Sequence, residues 1–369
     1  MNMKLFETKF VVILVLSMVL LTGLGSSYAA PTLSPTTAAG FVYTANERGN
    51  SISVLDLRTG QAKTVAVSIS PHNVQTSRDG RLLFAVGMAA SGATGQVAMG
   101  NMEQMGTGKK TRGRLLILDT ARMNAQGRVN AQGAPSIEVG SEPAHVVVDW
   151  QGRRAYVTNS ADNTVSVVDI VRRKVVATIA TGAFPHGLRI SPDGREIYVA
   201  DVKANSVSVI SVAAAKEVSR IPVGKGPVQV GFTPNGRRVY VSLRDENSIA
   251  VIDTARRKKI AVVPVGRNPI QLFVTPNGRT VYVANQGTEF NPGNTVSVVA
   301  TATDHVVATL VTGRGAHGVV VSRDGRDAFI TNSFADTVSV IDTATQKVLR
   351  NIKVGKGPNG ITFSSAARQ

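Results

Sequence analysis

An all-β, seven-bladed β-propeller of four-stranded blades is the fold this sequence predicts, and three observations predict it. An aromatic anchor recurs at Tyr43, Phe84, Tyr156, Tyr198, Tyr240, Tyr282 and Phe329, with three successive steps of 42 residues from Tyr156 to Tyr282. Each interval divides into four short runs rich in Val, Ile and Tyr, separated by turn residues and without helical periodicity. The repeats also start out of phase, opening on a second strand, "FVYTAN", and finishing on an orphan first strand, "GPNGITFS". A fixed period of this size marks stacked repeats, and four strands taken seven times make a propeller. Residues 358–364 should therefore complete the blade begun at 41–67, closing the ring and protecting its sheet edges.

In chain order, residues 1–29 come first and read as a secretory signal. Lys4 and Lys9 precede the uncharged run "FVVILVLSMVLLTGLG", and "SSYAA" offers small residues for cleavage after Ala29. The run is short for a bilayer span, so the expected location is periplasmic or extracellular. Residues 30–40 form a linker, 41–364 the propeller and 365–369 a tail. Within a full repeat the strands are "HGLRI", "EIYVAD", "SVSVIS" and "EVSRIPVG". Ser191-Pro192-Asp193-Gly194 turns the first strand into the second. Asn- or Asp-bearing segments such as "TNSADNT" join second to third, and Asp169, Asp253 or Asp342 opens the last turn. Two intervals are long. One holds a Gly- and Met-rich insertion at 88–113, the other "QGTEFNPGN" at 286–294.

Composition removes several function classes. The chain has no Cys, which excludes disulfides, thiolate metal sites, Cys nucleophiles and a lipidated amino-terminal Cys. It has 41 basic against 24 acidic residues, net +17. Lys4 and Lys9 against Glu7 place only one of those charges in the signal, leaving +16 on the mature chain. Such a surface favours anionic partners: nucleic acid, a cell-envelope polymer, lipid head groups or an acidic protein. No Ser-nucleophile motif, phosphate-cradling Gly loop or His-Glu metal motif is present. A non-catalytic binding protein, monomeric and without a membrane span once the signal is removed, is the expectation.

"YVTN" at 156–159, "YVAD" at 198–201, "YVAN" at 282–285 and "FITN" at 329–332 stand beside "SPDG" and "VIDT". With these the chain resembles the YVTN-repeat β-propeller family over about residues 41–364. The resemblance implies the fold directly. It leaves function open, because the family and its relatives include surface-layer proteins, a YncE-like periplasmic DNA-binding propeller, lactonase-type enzymes and haem carriers.

Topology sorts the loops. The first strand of each blade lines the channel, so the segment leading into it and the second-to-third connection share one face, the top. Four of the five histidines fall there: His72, His186 and His317 follow the lead-in position directly, and His145 lies one place further on. Imidazoles converging from several blades could hold copper, zinc or haem iron, with His145 a register out of step. Lys225, Arg267, Arg314 and Lys356 occupy one equivalent position in four successive lead-ins and predict a basic crescent for an anion. The insertion adds Lys109, Lys110 and Arg112 to the same face. Its Met99, Met102 and Met105 are candidate soft ligands for Cu(I). The bottom face is richer still in cations by count, including Arg172, Arg173, Arg256 and Arg257, and sequence does not choose between faces.

Overall fold

Strands of Val, Ile and Tyr that are apolar on both faces need cover on both sides, and the structure supplies it by radial stacking. The computed structural model describes residues 39–90, 111–124, 131 and 133–365. Seven antiparallel sheets of four strands are arranged in a ring. Blade 1 runs outward from the channel as Pro358–Ser364, Phe41–Asn46, Ser51–Asp56 and Ala62–Ala66. Blades 2 to 7 open on inner strands Ile69–Thr76, Pro143–Val148, Pro185–Ile190, Pro227–Phe232, Pro269–Val274 and Ala316–Val321. Each inner strand touches the next around the ring, and Pro358–Ser364 touches both Ala316–Val321 and Ile69–Thr76. The ring is closed.

Seven apolar clusters make up the core, and each lies between two adjacent blades. Every cluster contains one anchor aromatic from a second strand, and all seven anchors are essentially inaccessible to solvent. Outer strands show the opposite pattern. Lys174–Ala180 and Lys216–Pro222 alternate exposed and half-buried residues, because no neighbour covers the rim.

The motifs follow from local hydrogen bonding. In the "SPDG" turn, Ser191 Oγ donates to Asp193 Oδ1 at 2.5 Å and accepts from the Glu196 amide at 3.0 Å, while Gly194 sits at φ +74°. The Asn of "YVTN" is a strap. Asn159 Nδ2 donates to Thr164 and Ser166 on the third strand, at 3.0 and 2.9 Å, and its Oδ1 accepts from the Gly140 amide of the preceding blade. Gly140 must be Gly here, since a Cβ would collide with the Asn159 amide. Blade 4 puts Asp201 in the strap position, where Ser206 and Ser208 donate to it.

The helical additions are small: 3-10 turns at Glu47–Gly49, Ser160–Asp162 and Arg244–Glu246, and one short helix, Thr120–Asn124. Among the described residues no helix is long and apolar enough to cross a membrane. The insertion is rooted in strand, with Met88 paired to Gly113. Met99, Met102, Met105, Lys109 and Lys110 lie outside the described residues, as does the expected signal segment.

Closure rests on one strand. Phe41, Val42, Tyr43 and Thr44 pair with Ser364, Phe363, Thr362 and Ile361, and Ile361 joins the cluster between blades 7 and 1. Removing 358–364 deletes this ladder and about 1.5–3 kcal/mol for each buried apolar side chain. The truncated chain should melt at least about 10 °C lower and self-associate through its bare edge. Calorimetry and size-exclusion chromatography measure both; an unchanged midpoint in a monomer refutes the closure role.

Candidate metal centre at the channel mouth

At its start each inner strand breaks register with its neighbour. The shift falls between Pro71 and Asn73 in blade 2, Pro143 and Val146 in blade 3, and Pro185 and Leu188 in blade 4. A bulge sets an extra residue against the partner strand and re-aims side chains locally. His72 is the extra residue of its strand, and His145 and His186 lie inside the corresponding bulges. The offset that would put His145 out of step in a regular strand is absorbed here.

Three imidazoles from consecutive blades therefore meet. His72, His145 and His186 each offer a ring nitrogen, and these nitrogens all lie within 4.8 Å of one another. His72 Nε2 and His186 Nε2 are 3.2 Å apart. Ring centroids are separated by 4.9 to 5.8 Å. All three are buried, His145 completely. Zinc–nitrogen bonds of 2.0–2.1 Å at a tetrahedral angle place ligand nitrogens about 3.3–3.4 Å apart, close to the His72–His186 spacing.

The surrounding partners favour the ligand form. His72 Nδ1 lies 3.0 Å from Glu47 Oε1, and Asn359 Nδ2 donates to Glu47 Oε2 at 2.6 Å. A carboxylate that accepts a hydrogen bond from Nδ1–H fixes the tautomer and leaves Nε2 with its lone pair toward the cluster, the arrangement that orients metal-bound histidines. Both ring nitrogens of His145, and Nδ1 of His186 and His317, lack a hydrogen-bond partner. An orphaned buried imidazole is costly in a native structure. Burial, then the neighbouring imidazoles and Arg189, hold His145 well below the usual imidazole range. Burial and then His72 and His317 do the same for His186. Neutral imidazole is the form that binds metal.

His317 is buried in the same channel but stands outside the three-way cluster. Burial first, and His72 second, pull it down to about 3. His305 is exposed, with Nδ1 at 2.6 Å from the Thr303 carbonyl. Glu47 is the one member of the site that the repeat alignment does not bring forward. Its signal is a departure one place after the strap residue, where the blades read Glu47, Ser160, Val202, Arg244, Gln286 and Ser333, and Glu47 alone is acidic.

The four cations expected to form a basic crescent stand on equivalent lead-ins. Lys225, Arg267, Arg314 and Lys356 are exposed on the lead-ins of blades 5, 6, 7 and 1, the half of the ring opposite blades 2 to 4. None has a carboxylate partner among the described residues. Arg112, by contrast, is committed to Glu138 at 3.2 Å on the outer half of blade 2, away from the crescent. Bottom-face cations are largely satisfied in place: Arg172 by Asp169, Arg256 by Asp253 and Arg257 by Glu196.

Known proteins share this architecture. Residues 276–368 match the YNCE-like beta-propeller family, and 118–254 match the family described as Lactonase, 7-bladed beta-propeller. The resemblance to YncE-like propellers stands. Similar solved structures agree on fold. The Kuenenia stuttgartiensis hydrazine synthase has a chain that aligns at TM-score 0.64 and 20% identity, covering 81% of this chain and 96% of that one. A functionally unknown protein from Desulfotomaculum acetoxidans aligns at 0.69 and 16%, covering 88% and 99%. A candidate 6-phosphogluconolactonase from Bacteroides fragilis aligns at 0.67 and 14%, covering 90% and 99%. No curated protein matches the sequence significantly. At these identities the likeness of the solved structures speaks for the propeller fold alone.

The buried imidazoles make stability depend on pH with a definite sign. Unfolded histidines titrate near 6.5, while folded His145, His186 and His317 resist protonation to lower pH. Their stabilisation is complete above about pH 6.5 and is lost as pH falls toward the folded values, by up to about 1.4 kcal/mol per pH unit for each group. Asp201 opposes them. Burial, first, lifts it to about 7, so its contribution is present at low pH and lost as pH rises to neutrality. Three groups outweigh one. The urea midpoint of chelator-treated protein should fall between about pH 6.5 and 4.5, and His145→Gln should flatten the slope by about one proton. A midpoint that rises over this interval contradicts neutral buried imidazoles.

Proposed function

We propose that this protein is an exported binding propeller that carries a transition-metal ion on His72, His145 and His186 at its channel mouth. The ion presents an open coordination position to an anionic ligand drawn in by Lys225, Arg267, Arg314 and Lys356. One observation carries the reading: three buried imidazoles converge within 4.8 Å, and His145 has no other partner for either ring nitrogen. The donor set suits zinc or copper(II), since nitrogen is the only strong ligand type offered. Three protein ligands leave a fourth position for solvent or a ligand oxygen. Glu47 fixes the tautomer of His72 from behind, and the unpaired crescent focuses negative charge onto the mouth.

A second reading is hydrolysis of a lactone or related ester at the same centre. It is favoured by the lactonase-family match over 118–254, a segment that includes His145 and His186. The metal would supply Lewis-acid polarisation and an acidified water, and the crescent would hold an acidic substituent of the ester.

Metal loading separates these readings from a bare scaffold. Protein exposed to zinc or copper and then desalted should keep about one ion per chain by elemental mass spectrometry. His145→Ala and His186→Ala should lose it, whereas His305→Ala should keep it. Glu47→Gln should weaken retention about 10- to 100-fold. Wild-type protein that retains neither ion overturns the proposal.

Anion capture is tested by replacing Lys225, Arg267, Arg314 and Lys356 together with Ser. Binding of a single-stranded oligonucleotide should weaken, and its log–log salt slope should flatten by about 0.7 for each phosphate no longer neutralised. The matching change at Arg172, Arg173, Arg256 and Arg257 should matter little, because those cations are mostly held by local carboxylates. Binding abolished only in the second set assigns recognition to the bottom face.

A further inference from the structure

The opposite end of the channel is built differently. There the inner strands and their first turns border an open cavity of ≈ 670 Å³, lined from blades 2 to 7. Its apolar part includes Phe232, Leu272 and Phe273, and Trp150 stands at the side. Three guanidinium groups share this lining: Arg78, Arg189 and Arg323. A volume in this range accommodates a small organic ligand.

None of the three arginines has a carboxylate partner among the described residues. The acids of the same turns are engaged elsewhere. Asp79 accepts from Ser77 and the Arg81 amide, and Asp324 accepts from Ser322 and the Arg326 amide. Arg78 lies over the Trp150 ring at 5.5 Å, and Arg323 donates to the Arg78 carbonyl at 3.3 Å. Arg189 donates to the Leu188 carbonyl at 2.9 Å, leaving the rest of its donor fork unused.

Arg189 is also a departure from the repeat. It pairs with the anchor Tyr198, and the equivalent places hold Gln75, Val147, Gly231, Phe273, Val320 and Thr362. The seven-membered ring therefore has one charge. In the neighbouring blade the equivalent place is Gly231, where a Cβ would collide with Leu272. Burial alone pulls Arg189 down to about 10, the mark of a cation without a compensating anion. Arg189 is half-buried at the cavity wall, so its free donors face the open space of the cavity, where an anion can complete them.

We propose that the lower end of the channel binds a small organic acid, a carboxylate or sulfonate carrying an apolar body, with its acid group on Arg189, Arg78 and Arg323. The apolar wall explains why a bare inorganic anion is a poor fit. The three unpaired guanidiniums explain why a neutral hydrophobe is too. Planar guanidinium groups match the two oxygens of a carboxylate. The site shares no residue with the metal centre above it.

Trp150 is the sole tryptophan of the chain and is 44% exposed, so its fluorescence reports on this cavity alone. The test titrates chelator-treated protein with anilinonaphthalene sulfonate and follows energy transfer from Trp150, with decanoate, decanol and inorganic phosphate as competitors. One probe should bind per chain. Decanoate should displace it, whereas decanol and phosphate should not. A decanoate displacement identifies an aliphatic acid as acceptable, and its failure with retained sulfonate binding restricts the site to aromatic acids. Arg189→Gln should weaken binding at least about tenfold, as expected when a charge-assisted hydrogen bond is removed. Arg323→Gln serves as a second variant whose surface position spares folding, and His145→Ala should bind like wild type. Unchanged affinity in Arg323→Gln and Arg78→Gln overturns the proposal, as does displacement by decanol or phosphate as effective as by decanoate.

Discussion

Packing between blades is the interaction on which everything else in this molecule depends. A single blade is a sheet with two apolar faces and nothing of its own to cover either. The seven core clusters each bridge two blades, so no blade has a core until its neighbours are in place. One large aromatic per interface fills the space between sheets, and in five blades an Asn or Asp strap behind it ties second strand to third, Asn159 reaching the preceding blade as well. The ring must also close, because an open end would leave an apolar face and a strand edge in water.

This division of labour leaves the inner strands free to vary. The anchor aromatics stand on the second strands, so an inner-strand residue facing the channel can change without removing an anchor. The departures from the repeat concentrate at the two ends of the channel. His72, His145, His186 and Glu47 stand at one end, Arg189 with Arg78 and Arg323 at the other. A sevenfold scaffold thereby carries sites that are not sevenfold.

The two ends also differ in electrostatic logic. At the mouth, burial keeps imidazoles neutral and their lone pairs available, while an exposed crescent across the ring supplies positive charge at a distance. In the lower cavity the charge stands on the lining itself, with Arg189 half-buried and Arg78 and Arg323 exposed at the rim, on guanidiniums that stay charged and are matched to planar anions. On the bottom face, several arginines pair with an acid, mostly of their own turn, among them Arg172 with Asp169 and Arg256 with Asp253. Net charge therefore says little about where an anion would sit; the absence of local carboxylates says more.

Period, strand chemistry and turn residues are local properties, and they determined the fold. The 42-residue step, the "SPDG" turns and the phase of the first and last strands were sufficient for seven blades and for the pairing of 358–364 with 41–46. The same alignment located the crescent and the level of the histidines. It could not say that His145 joins His72 and His186 while His317 stands apart, because a bulge overrides strand parity and only the assembled ring sets distances across the channel. Nor could it say that Arg112 is spent on Glu138, or that Arg189 lines one cavity with two turn arginines from other blades. Those are contacts between residues tens to hundreds of positions apart. They exist because the blades are held at fixed angles around one axis, and a sequence read along the chain carries no measure of that angle.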